Sequence, residues 1–135
     1  REAGFYVLQS KDGTEKTKIS LLRTSNTPYK FPQNDSLQID VSEASKHPNI
    51  YARTPEIGPV KLINDTILNL RIFIDQSIIE VFANNEQCLT LRSYPTQKDS
   101  RNISFFAKGG VAKILNMKVW QMKSIWPELK FKETK

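Results

Sequence analysis

One cysteine and one histidine in 135 residues leave little material for metal or sulfur chemistry. Cys88 has no second thiol to pair with, so disulfides within the chain, thiolate zinc sites and iron–sulfur clusters are excluded, and a lone His47 excludes the usual histidine metal constellations. No metal or cofactor is expected. Apolar runs fall far short of the ~20 residues that span a bilayer. No basic stretch leads into an apolar one as in a signal peptide, and no segment repeats at a period of about 20 to 50 residues. The chain opens at Arg1 without a methionine and enters the apolar run Gly4 to Leu8 almost at once. It reads as a piece of something longer, with its compartment left open. What is present is ordinary globular material of one-domain size: 15.5 kDa, 39% hydrophobic, 25% charged, mean hydropathy -0.47.

Lysine and arginine exceed aspartate and glutamate by six, which raises the question of a polyanionic partner. Most of that excess sits at the end, where Lys108, Lys113, Lys118, Lys123, Lys130, Lys132 and Lys135 face only Glu128 and Glu133. Four of these lysines recur every five residues, without the arginine-rich, aromatic-interleaved surface of a single-strand binder. Neither a nucleic-acid nor a membrane partner is expected. Residues 128–135 read as a basic tail behind a single module over 1–127.

Helical periodicity is weak, and short β-branched and aromatic runs alternate with turn residues, so the fold class is all-β. Strands are expected at Phe5–Gln9, Glu15–Arg23, Ser36–Val41, Ile67–Ile74, Ile78–Ala83, Gln87–Tyr94, Ile103–Ala107 and Val111–Lys123. Gly13 supplies the positive φ of the first turn, and Gly109 with Gly110 supplies the last. Pro48, Pro55 and Pro59 lack a ladder donor, so Asp40 to Leu62 reads as a surface connection with room for a helical turn after Ser42.

Parity carries the central region further. Leu68, Leu70, Ile72 and Ile74 share one face, as do Ile79, Val81 and Ala83. Even positions must therefore oppose odd ones, which demands a loop of two or four residues around Gln76. Pairing Val81 with Leu89 demands three residues at Asn84, Asn85 and Glu86, with Asn85 tolerating the left-handed region. The product is a three-strand meander.

Candidate chemistry is sparse. Asp75 and Glu80 are the best local carboxylate pair, and glycoside hydrolysis needs two carboxyls about 5 to 10 Å apart across a sugar. Asp75, however, sits where a turn wants a backbone acceptor, and Glu80 would project from a strand. Ser77 with His47 lacks the strained elbow of a serine nucleophile. Cys88 lies in an alternating strand, as a small packing residue would. Asn64-Asp65-Thr66 and Asn102-Ile103-Ser104 match the glycosylation sequon, a pattern short enough to arise by chance. The last expected strand is the oddity: Leu115, Met117 and Val119 occupy one parity, Ile114, Trp120 and Met122 the other. Either a bulge shifts its parity or something beyond its own core covers it.

Four ordered segments carry a family resemblance: Leu70 to Asn84 with its Asp75-x-Ser77-x-x-Glu80-Val81-Phe82 signature, Leu89 to Pro95, Ile103 to Gly110, and Val119 to Pro127. Together they resemble the C-terminal β-sandwich of glycoside hydrolase family 32, the invertases, levanases, inulinases and sucrose-6-phosphate hydrolases. The resemblance runs from about Gly4 to Pro127. It implies a two-sheet antiparallel sandwich of concanavalin-like or jelly-roll-like kind. It also implies a five-bladed β-propeller ahead of it in the same parent, hydrolysing β-fructofuranosides such as sucrose or fructan. The family's catalytic motifs, Trp-Met-Asn-Asp-Pro-Asn, Arg-Asp-Pro and Glu-Cys, do not occur here; Glu86-Gln87-Cys88 is not Glu-Cys, and neither Asn34-Asp35 nor Asn64-Asp65 precedes proline. No catalytic residue is carried over, and the chain alone is expected to be inactive. Asn84-Asn85-Glu86 stands where relatives often have a glycine.

Family sandwiches usually begin with a strand before the equivalent of Arg1, so an open sheet edge is expected. The roles implied are Asp75, Ser77, Glu80 and Phe82 as hairpin organisers, Gly109 and Gly110 as the turn, and Leu115, Met117, Trp120, Met122 and Trp126 as core or interdomain interface. The alternatives are a stand-alone carbohydrate-binding module, with exposed aromatics stacking on fructan, and a dimerisation module.

Overall fold

The computed structural model describes residues 1–23, 35–50 and 53–124. Among them are eight strands and no helix: β1 Glu2–Gln9, β2 Thr17–Leu22, β3 Asp35–Asp40, β4 Glu56–Val60, β5 Leu70–Asp75, β6 Ile78–Ala83, β7 Gln87–Arg92 and β8 Asn102–Lys108. They form a five-stranded sheet in the order β4-β3-β2-β1-β8 and a three-stranded sheet β5-β6-β7. Every pairing is antiparallel. The all-β, two-sheet expectation holds.

Each sheet turns one apolar face inward. Val7, Ile19, Leu37, Ile39 and Val60 come from the larger sheet, and Ile79, Val81, Ala83, Leu89 and Leu91 from the meander, merging into one buried cluster. Burying side chains of this size contributes about 1.5 to 3 kcal/mol each, which drives the two faces together.

Both loop-length arguments hold. Leu70 opposes Ala83 and Asp75 opposes Ile78, leaving the two-residue loop Gln76-Ser77 with Gln76 at φ 51. Val81 opposes Leu89 and Ala83 opposes Gln87, leaving three residues, of which Asn84 and Asn85 both adopt positive φ. The Gly13 turn forms at φ 71, closed by a 3.0 Å bond from the Gly13 N–H to the Ser10 carbonyl.

Two expectations fail. The proline-bearing stretch between Asp40 and Leu62 contains β4, which pairs with β3 and places Pro59 opposite Ser36. The strand tolerates proline because it is the sheet's outermost, where a missing N–H breaks no further ladder. Val111–Lys123 is not a strand: past β8 the described chain turns at Gly109, φ 70, and runs on through residue 124 outside any strand. Strand propensity expresses fit to a pleated surface, and no neighbouring strand offers this segment one. Gly109 and Gly110 accordingly end β8 without closing a hairpin. In β1, a register shift against β8 between Tyr6 and Gln9 accompanies a left-handed Leu8, φ 48, a bulge that composition did not announce.

Candidate functional site

The signature residues lie on the outer face of the meander. Ile79, Val81 and Ala83 of β6 are fully buried, so their neighbours Ile78, Glu80 and Phe82 point away from the core. Phe73 lies opposite Glu80, and its ring meets that of Phe82 edge-on with centroids 5.9 Å apart. Asp75, at the end of β5, is exposed and shares this open face with Glu80. Two carboxylates on a flat sheet face offer no walls to hold a sugar between them. Ser77 accepts twice, its carbonyl taking a 2.8 Å bond from the Ser93 N–H and its hydroxyl oxygen a 3.5 Å bond from the Arg92 guanidinium. His47 is exposed, and its Nδ1 accepts from the Asn49 N–H at 3.2 Å. Cys88 is exposed on the same outer face as Phe82.

The segment after β8 carries the most exposed large apolar side chains among the described residues. Leu115 is 71% exposed, Met117 50%, Trp120 72% and Met122 79%. None of these four contributes to the core of this chain, which leaves the interface half of their expected role to be tested. Trp126 and residues 128–135 lie outside the described residues.

Sequence reading missed the best-built polar site. Glu15, entered there only as the start of a strand, is fully buried at the end of the β1–β2 connection. Its carboxylate accepts from the backbone N–H groups of Lys46, Thr96 and Gln97 at 2.9 to 3.0 Å. The Ser100 hydroxyl donates at 2.9 Å and the Thr96 hydroxyl also donates. Three loops far apart in the chain are thus tied to one side chain. Burial alone would raise the Glu15 pKa. The Thr96 hydroxyl and the three N–H groups outweigh it and hold the pKa at about 2. Asp12 plays a smaller version of this role at the surface: the Thr14 hydroxyl and then Ser10 donate to it and lower its pKa. A glutamate two residues after the glycine of a turn was the only sequence signal, and it does not reveal partners some 80 positions away.

The family model described as glycosyl hydrolases family 32 C terminal matches residues 1–121. The chain belongs to this family. A raffinose invertase of Escherichia coli is 42% identical to the family 32 module over 64 residues, which is 47% of this chain and 13% of the relative. Beta-fructofuranosidase 1 of Zea mays is 30% identical over 132 residues, 91% of this chain and 19% of the relative. In fold, an exo-inulinase from Aspergillus awamori matches with a TM-score of 0.65 at 20% identity, across 81% of this chain and 20% of the inulinase. The module therefore spans a fifth or less of the length of these relatives.

Proposed function

We propose that this module is the non-catalytic C-terminal support of a longer enzyme, packed against a β-propeller that hydrolyses β-fructofuranosides. The names of its relatives, invertase, β-fructofuranosidase and exo-inulinase, support that substrate class. In the parent, hydrolysis would proceed with retention through a covalent fructosyl intermediate. The module supplies none of those carboxylates.

The observation that carries the reading is the run of exposed apolar side chains at Leu115, Met117, Val119, Trp120 and Met122. A contiguous apolar surface of this kind costs solubility unless another surface covers it. In the parent polypeptide, replacing Trp120 and Met122 together by alanine should lower Tm by about 3 °C or more. Its kcat/KM for sucrose at 25 °C should stay within about twofold, because no reacting group is touched. An unchanged Tm would remove this run from the interface. The isolated chain should release no fructose from sucrose or inulin, and measurable hydrolysis by it would overturn the reading.

A further inference from the structure

A second surface feature owes nothing to that support role. Between the connection after β3 and the end of β7 lies a cavity of about 320 Å³, near the lower end of the range that small-molecule sites occupy. Val41 and Ala44, both buried, form part of its lining. Its polar lining includes Arg53, Arg92, Asn49 and Ser45, and Tyr94 stands beside them with 42% of its surface exposed.

Charge makes this cavity unusual. No carboxylate lines it among the described residues, and no described carboxylate lies within ion-pairing distance of Arg53 or Arg92. Glu43 is engaged with Lys16 at 3.4 Å, Asp40 with Lys18 at 3.7 Å and Asp12 with Lys46 at 3.8 Å, while exposed Glu56, on the same segment as Arg53, forms no ion pair with it. Glu15 is buried under its own five donors. Among the described residues neither guanidinium has an internal anion, Arg92 donating to the neutral Ser77 hydroxyl at 3.5 Å, and such forks match the geometry of phosphate and carboxylate oxygens.

Part of the lining is also held before any ligand arrives. Glu15 holds the Lys46 N–H of one wall and the Thr96 and Gln97 N–H groups that follow the other. The Ser93 and Thr17 hydroxyls share a buried 2.7 Å bond beneath. A cleft held from below in this way loses little freedom on binding.

We propose that this cavity binds an oxyanion carried on a small polyol, as in a sugar phosphate. The arginines take the oxyanion, Asn49 and Ser45 take hydroxyl groups, and the Tyr94 ring covers an apolar face of the polyol. The support role rests on the segment after β8 and this site on the cavity beside Tyr94, so either reading can fail without the other.

Calorimetric titration of the whole chain at low ionic strength tests it, with fructose 6-phosphate, inorganic phosphate and fructose as probes. Fructose 6-phosphate should saturate with a Kd of roughly 1 mM or tighter. Inorganic phosphate should bind more weakly, and fructose should give no saturation in the same range. Arg53→Gln and Arg92→Gln should each weaken fructose 6-phosphate by about tenfold while keeping the wild-type circular dichroism. Arg101→Gln, which removes an equal charge outside the cavity, should leave the affinity unchanged. The proposal fails if fructose 6-phosphate does not saturate, if fructose binds as well as its phosphate, or if Arg101→Gln weakens binding as much as the cavity variants do. Inorganic phosphate binding as tightly as fructose 6-phosphate would overturn the polyol half and leave a bare anion site.

Discussion

Glu15 is the residue on which most of the loop architecture depends. Replacing it by glutamine keeps the shape but loses the charge that five donors solvate, and should cost about 2 to 3 kcal/mol in urea unfolding at pH 7. The pH dependence follows from a folded pKa of about 2 against 4.5 for the free group. The stability that Glu15 contributes is complete above pH 4.5 and drains away as the pH falls toward 2. The gap between wild type and Glu15→Gln should therefore narrow steadily below pH 4.5, and a constant gap would count against this role. Gly4 marks the opposite case, in which a residue matters for what it lacks. A Cβ there would lie 2.0 Å from the Ile19 carbonyl oxygen and 2.7 Å from the Ser20 Cα, both backbone atoms of the adjoining strand. Gly4→Ala should thus cost about 3 kcal/mol or more, measured by the urea midpoint. Neither residue declared itself in the sequence. Glu15 has its partners at positions 46 and 96 to 100, and Gly4 is close to β2 only once the sheet exists.

At the scale of elements, local pattern was informative where neighbours in sequence are also neighbours in space. The β5-β6-β7 meander was legible to the loop residue, because alternation fixes which side chains face inward and parity then fixes the loop lengths. Its second turn also bears weight. The Asn84 side chain accepts from the Asn69 N–H at 2.8 Å and donates to the Lys61 carbonyl at 2.6 Å, so the turn clamps the approach to β5. Asn84→Ala should cost about 1 to 2 kcal/mol by thermal unfolding. Asn85→Gly, which loses only one exposed bond from Arg71 and relieves a positive φ, should lie within about 0.5 kcal/mol of wild type. Long-range pairing was less legible. Pro59 pointed away from a strand, and only its place at the sheet margin makes β4 allowable. Residues 111–123 have strand composition but no ladder to join. The cavity beside Tyr94 unites Arg53 with Arg92, which nothing but topology brings together.

Among the described residues the molecule consists of a double sheet and an apolar segment that follows it. Because no described residue from 111 to 122 belongs to the buried core, serine at Leu115, Met117, Val119, Trp120 and Met122 together should keep the urea midpoint within about 0.5 kcal/mol of wild type. That variant should also stay in solution at concentrations where the wild-type chain associates, as sedimentation would register. A lower midpoint would mean that the segment braces the sandwich after all. The family resemblance was legible at this scale because the four ordered segments keep their spacing even where individual motifs are short. One further property follows from β1 pairing with both β2 and β8. Glu2 lies opposite Lys108, with Arg1 beside Gly109 and Gly110, so the two chain paths that leave the sheet do so from one corner. A pulling force applied through those paths would not shear the β1–β8 ladder along its length but open it like a zipper, loading one hydrogen bond at a time. The core can therefore be chemically stable and yet yield at low force, with β8 peeling away first.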